Sequence, residues 1–167
     1  MKRIAIYGRQ FGEGHSERIA QFFELLADRD VTFSVFGPFL DFLIESAGIS
    51  LANSPSFTKA TFKAEEFDVM ISIGGDGTML DSTTFVSDSG LPMLGINTGR
   101  LGFLSSINLD HIEEAIDQLL IGAFMIDKRS VIKLETDAKI FGNENFALNQ
   151  LTIHKKDTQS VIVIHAY

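Results

Sequence analysis

The chain contains no cysteine. That absence excludes a disulfide framework, a thiolate zinc site and a thiol nucleophile, and it fits a cytoplasmic setting. Basic residues are scarce, with 14 Lys and Arg against 22 Asp and Glu and a net charge of −8. Nucleic-acid backbones need clustered cations to displace their counterions, so no nucleic-acid partner is expected. An anionic small molecule stays open, because salt confines the net charge to about 8 to 10 Å and a local pocket can oppose the global sign. No apolar run approaches the roughly 20 residues that span a bilayer, and the run that follows Lys2-Arg3 stops at Gly8, too short for a signal peptide. No membrane partner is expected. His15, His111, His154 and His165 show no metal-ligating spacing, so no metal site held by the protein is expected. Ser72, Ser105 and Ser106 lack a nucleophile-elbow context, and Gly8 to Gly14 lacks the G-x-G-x-x-G spacing of a dinucleotide fingerprint.

What is present is a packed-core composition, 45% hydrophobic with 15 phenylalanines in 167 residues. Ile4 to Tyr7 reads as a strand, and Ser16 opens a helix with Ile19, Phe22, Phe23 and Leu26 at helical spacing. Val31 to Phe36 reads as a second strand, broken by Gly37-Pro38, with a helix over Phe39 to Ala47. The Phe22-Phe23 and Phe39-Phe42 stripes belong to the core. Residues 49–66 are weakly patterned and read as a loop with a short irregular helix. Phe67 to Ile73 is the next strand, followed by a helix from Thr78 to about Ser87 and a strand from Pro92 to Ile96. Leu109 to Leu120 is an amphipathic helix capped by Gly122. Such alternation predicts an α/β fold, an open, mostly parallel sheet with flanking helices and right-handed crossovers. From Asp127 the pattern turns to short β runs at Ser130 to Leu134, Phe146 to His154 and Val161 to Tyr167. The expected organisation is an α/β nucleotide-binding domain over 1–124 and the opening strands of a truncated β-rich domain over 125–167. Lys155-Lys156 reads as a solvated turn.

The stretch ISIGGDGTML, Ile71 to Leu80, carries the chemistry. Three glycines in four positions strip side chains from a turn and let a ligand approach the backbone. The turn lies beyond the carboxyl end of a strand, where open α/β sheets bind ligands, and the first amides of the following helix favour an anion such as phosphate. Asp76 is out of place in a simple phosphate cradle. A carboxylate there could accept the proton of an attacking hydroxyl or hold a Mg²⁺ that bridges phosphates. Taken alone, the four residues also suit a tight turn with no ligand, since Asp-Gly is common in turns.

Three motifs occur together and in order: Gly74-Gly75-Asp76-Gly77-Thr78, then Leu94-Gly95-Ile96-Asn97-Thr98-Gly99-Arg100-Leu101-Gly102-Phe103-Leu104, then Ala147-Leu148-Asn149. In this the chain resembles the NAD kinase family over nearly its whole length. The resemblance implies phosphorylation of the adenosine-ribose 2′-hydroxyl of NAD by ATP, with Mg²⁺ on the phosphate donor, to give NADP. It implies small-molecule substrates only, and a dimer or tetramer for the full-length enzyme. It makes Asp76 the proton acceptor, with Gly77 and Leu80 beside the dinucleotide and Gly74, Gly75 and Thr78 completing the nucleotide-binding turn. Phe103 matches an aromatic that contacts the adenine region, Asn149 an asparagine that hydrogen-bonds the dinucleotide, and Arg100 sits where phosphate is within reach. Two departures stand out. Gln150 replaces an acidic residue expected after that asparagine, and Asp81 occupies a place where many relatives are basic, which argues against a phosphate contact from that position.

The GGDG turn by itself is shared with diacylglycerol and sphingosine-type kinases and, more loosely, phosphofructokinases, so a lipid or sugar kinase is one alternative. A noncatalytic nucleotide-binding module is another. Ending in an apolar run, the chain reads as part of a longer protein, and by itself it is expected to have little kinase activity.

Overall fold

In a computed structural model that describes residues 2–12, 14–99, 102–105, 107–138, 140–142 and 144–154, the first apolar run forms β1 (Arg3–Gly8) and leads into helix α1 (Ser16–Asp28). Next come β2 (Thr32–Phe36), α2 (Gly37–Glu45) and a two-residue β3 (Ser56–Phe57). The central strand β4 (Val69–Ile73) feeds α3 (Asp76–Val86), and β5 (Met93–Asn97), β6 (Ile107–Asn108) and α4 (Ile112–Ile121) complete the series. All five strand pairings are parallel, and the six strands lie in the order β3-β2-β1-β4-β5-β6. The fold class expected from the alternation is the one observed.

Boundaries shift where local chemistry overrides simple pattern. Helix α2 begins at Gly37, not after the Gly37-Pro38 pair, with Pro38 in its first turn. Proline loses no hydrogen bond there, because the first amides of a helix are unpaired in any case. Helix α3 begins at Asp76, two residues before the expected Thr78. Gly122 ends α4 in the left-handed region at φ 77°, which glycine adopts at no steric cost. Residues 49–66 hold β3 and a single 3₁₀ turn at Ala64–Glu66, strands of two residues being too short for any periodicity to reveal.

Strand alternation sends side chains to two cores. On one face Ile4, Ile6, Ile71 and Ile73 pack against Phe22 and Leu26 of α1, Phe39 and Leu43 of α2 and Ile116 of α4. On the other, Ala5, Tyr7 and Met70 meet Phe57, Val86 and Leu91. Full burial of each large apolar side chain stabilises the fold by about 1.5 to 3 kcal/mol. The phenylalanine stripes of α1 and α2 are indeed core, with Phe22 and Phe39 almost completely buried.

The main chain divides into two compact units, Met1–Asp127 and Lys128–Tyr167. In the second, β7 (Ile132–Lys133) and β8 (Phe146–Ala147) pair antiparallel, Ile132 opposite Ala147. The run Val161 to Tyr167, with His165 and Lys155-Lys156, lies outside the described residues.

Asp68, just before β4, ties down the start of β1. Its carboxylate accepts from the Lys2 and Arg3 amides at 2.9 and 3.1 Å and from the Arg3 guanidinium. Hydrogen bonding from Arg3, then from the Lys2 amide, lowers the carboxyl from 3.8 to about 2. A depressed carboxyl stabilises the fold above its unfolded value and loses that contribution as pH falls through its folded value. Unfolding midpoints measured against pH should therefore fall between pH 3.8 and about 2 in part through Asp68, and Asp68→Asn should flatten that part of the profile.

Candidate active site

Strand order alone marks where a ligand site belongs. From β1 the chain winds outward through β2 and β3, then returns to place β4 on the other side of β1. Connections leave in opposite directions at this switch point, opening a crevice beyond the carboxyl ends of β1 and β4. Gly8 and Ile73 are register partners at those ends, so Arg9 and Gly74 leave the sheet side by side.

The glycines of the turn have different duties. Gly74 adopts φ 150°, and a Cβ on it would lie 2.3 Å from Thr78 Oγ1 and 2.7 Å from Thr78 Cβ. Gly74 is therefore required by the protein's own packing. The side chain of Thr78, 7% exposed, closes over Gly74, so Thr78 can offer a ligand only its main-chain amide. Added Cβ atoms on Gly75 and Gly77 would meet nothing within 4 Å. Both glycines are exposed, and that side of the turn is open. Gly75 caps α3 with no side-chain acceptor, which leaves the first amides of the helix to an external partner.

Asp76, the first residue of α3, is half-buried and turned toward the loop after β5. Its Oδ2 accepts from the Phe103 amide at 2.9 Å, and its Oδ1 from the Leu104 and Ser105 amides at 3.0 and 3.1 Å. The Phe103 amide, followed by those of Leu104 and Ser105, holds the carboxyl below its ordinary value against the opposing effect of burial. A carboxylate has about four acceptor positions. Three are taken here, two on Oδ1 and one on Oδ2, so a hydroxyl can still be received at Oδ2. Gly102 makes this approach possible, since a Cβ there would fall 2.1 Å from Asp76 Oδ1.

The loop itself is built from β5 outward. Asn97 is buried, its Oδ1 accepts from the Gly99 amide at 2.6 Å, and its Nδ2 lies 3.5 Å from the Ser105 carbonyl. Gly95 lets Ser105 pack on the sheet, where an added Cβ would come within 2.8 Å of Ser105 Cα. Gly95→Ala should therefore push the 102–105 loop off Asp76, an effect readable as faster amide exchange at Phe103 and Leu104 than in the unaltered protein.

Phe103 is 94% exposed and is not part of the core. Leu80 lies half-buried on α3. Arg100 falls outside the described residues. Asn149 and Gln150 are exposed in the second unit. Asp81 forms an ion pair with Arg9, whose side chain reaches across from the loop after β1. Tyr7 stands below them, its hydroxyl pushed up by burial and by Asp81 and eased down by hydrogen bonding to Arg9. No recognised glycine spacing marks the Arg9 loop in the sequence. The register of Gly8 with Ile73 is what brings it to the turn.

Residues 13–124 match the family described as the ATP-NAD kinase N-terminal domain. The chain belongs to the NAD kinase family. It is 37% identical over 164 residues to the NAD kinase of Cytophaga hutchinsonii, covering 98% of this chain and 56% of that protein. To the NAD kinase of Flavobacterium psychrophilum it is 37% identical over 168 residues, covering 99% of this chain and 56% of the relative. The chain thus spans about half the length of the curated relatives it matches. Among solved structures, yeast NADH kinase complexed with NADH superposes with a TM-score of 0.59 at 19% identity, over 78% of this chain and 41% of that one. At that identity the likeness speaks for the fold. Two of the three motifs therefore meet at the switch-point crevice, with the GGDG turn on one side and residues 102–105 hydrogen-bonded to Asp76.

Among the described residues no group of three or more His, Asp or Glu could hold a metal ion, and no helix is long and apolar enough to cross a membrane. A Mg²⁺ brought in on donor phosphates suits this donor set better than one caged by side chains, since three acceptor positions of the Asp76 carboxylate are already filled by amides.

Proposed function

We propose that the whole protein carrying this chain is an NAD kinase, transferring the γ-phosphoryl group of ATP to the adenosine-ribose 2′-hydroxyl of NAD to give NADP in the cytoplasm. The observation that carries the reading is the one acceptor position left on Asp76 Oδ2, in a turn whose Gly75 and Gly77 leave room for a ligand. In this reading Oδ2 receives the 2′-hydroxyl and aligns its oxygen with the donor. The open amides at the start of α3 receive phosphate, and Leu80 lines the dinucleotide. The exposed Phe103 stacks against adenine, where aromatic contact suits a base. Arg100, Asn149 and Gln150 are assigned the nucleotide contacts that the family resemblance implies. Residues 1–124 are assigned to an α/β nucleotide-binding domain and 125–167 to the opening strands of a β-rich domain. Mg²⁺ bound with ATP would neutralise charge on the transferring phosphates. Small molecules are the only partners this requires beyond a homo-oligomer.

Amide bonding keeps the Asp76 carboxyl low, which makes it a weak base. Weakness is tolerable here, because a loose phosphoryl-transfer transition state needs little early proton removal. Holding and orienting the hydroxyl is then the larger part of the role.

The test is a substrate panel. The whole protein, given ATP and Mg²⁺, is expected to convert NAD to NADP and to leave diacylglycerol, sphingosine and free sugars unphosphorylated. Phosphorylation of a lipid or sugar with none of NAD would replace this reading by the GGDG-sharing alternative. NAD binding by calorimetry without NADP formation would favour the noncatalytic module.

A further inference from the structure

Arg9 and Asp81 are joined across the switch-point crevice by an ion pair that the nucleotide reading leaves unused. Arg9 follows β1 directly, and its neighbour in the sheet at that level is the GGDG turn. Asp81 lies four residues after Gly77 on α3, so the two share a helix face one turn apart. Gly77 has nothing within 4 Å of its would-be side chain. The guanidinium therefore stands one helical turn from the open face of the turn.

Its environment holds it in place without exhausting it. The side chain of Arg9 is 61% exposed and that of Asp81 33%. Asp81 Oδ2 is closed to solvent and meets Arg9 without hydrogen-bond alignment. Tyr7, packed between Phe36 and Phe85, forms the floor. A guanidinium carries five N–H donors in a planar fork suited to phosphate oxygens. With one side fixed by Asp81, the donors facing out remain available. Asp81 itself repels phosphate, so its acidic character at this position makes chemical sense as the anchor of a cation supplied from another loop.

We propose that Arg9 binds the polyphosphate chain of a nucleotide at this crevice, with Asp81 as its positioning residue. The identity of the nucleotide rests on the kinase reading, whereas the cation site rests on the geometry of β1 and α3. A polyphosphate can come from the donor triphosphate or from the pyrophosphate of NAD, and separate titrations distinguish them.

Sodium tripolyphosphate and NAD are titrated calorimetrically into the whole protein, unaltered and as Arg9→Met, Arg9→Lys and Asp81→Asn, with folding checked by thermal unfolding. Arg9→Met is expected to weaken one of the two ligands by about tenfold or more, and Arg9→Lys by less, since an ammonium keeps the charge but loses the fork. Loss confined to tripolyphosphate assigns Arg9 to the donor, and loss confined to NAD assigns it to the dinucleotide. In the Asp81→Asn background the Arg9→Met effect should shrink to less than about threefold, because an unanchored arginine contributes less. Unchanged affinity for both ligands in Arg9→Met, or no tripolyphosphate or NAD binding by the unaltered protein, overturns the proposal. A full Arg9 effect in the Asp81→Asn background overturns the positioning role. NADP formation measured in parallel separates the two ideas, since turnover with no Arg9 dependence leaves the kinase reading intact, and Arg9-dependent tripolyphosphate binding without turnover leaves the cation site intact.

Discussion

Asp76→Asn in the whole protein is expected to reduce NADP formation by about 10²-fold, the lower end of what general-base assistance contributes, or roughly 3 kcal/mol of barrier. The lower end follows from chemistry at the site. Three amides depress the carboxyl, so less proton affinity is available to lose on substitution. Asparagine also brings an amide group toward the Phe103 N–H, setting donor against donor, and a small loss of stability of about 1 to 3 kcal/mol should accompany the kinetic effect. The pH dependence follows with a definite sign. Because the folded carboxyl lies below 3.8, Asp76 stays ionised throughout the neutral range and its clamp weakens only as pH falls through that lower value. Rate profiles of the unaltered whole protein should therefore show no acid limb from Asp76 above about pH 4. Turnover by Asp76→Asn at a near-normal rate would remove the carboxylate from the reaction.

A second large effect separates glycines that look alike in sequence. Gly74→Ala must force a side chain into φ 150° and against Thr78, combining backbone strain with overpacking at a cost of roughly 2 to 5 kcal/mol. Gly77→Ala meets nothing within 4 Å and lies inside α3, so it should leave stability unchanged or raise it by about 0.4 to 1 kcal/mol. Its methyl group would occupy the open side of the turn, and NAD and ATP affinity should fall while the fold stays intact. Chemical denaturation of both variants, paired with calorimetric binding for Gly77→Ala, checks the contrast. A destabilised Gly77→Ala or an unaffected Gly74→Ala would contradict the division of labour.

The frame was readable because its signals are local. Ile4 to Tyr7 and Val69 to Ile71 are continuous apolar runs of the kind a doubly covered parallel strand needs, and Ser16 followed by Ile19, Phe22, Phe23 and Leu26 sets a helical period. Helix α3 started earlier than its sequence suggested, since glycine disfavours helix and so masks a first turn that contains Gly77. Strands β3 and β6, two residues each, form through pairing with longer neighbours and carry no periodicity of their own. At the site, the motifs pointed to Asp76 but not to what holds it. The donors lie 27 to 29 positions away and are main-chain amides, which no side-chain pattern encodes. The motif set Phe103 apart from the core phenylalanines and its exposure agrees, whereas Arg9 required the register of β1 with β4.

Because the grip on Asp76 comes from peptide N–H groups, it is indifferent to what projects from positions 103 and 104. The ring of Phe103 can thus be exchanged for other side chains with the acidic group held as before. Proline is the exception, since it has no N–H to give.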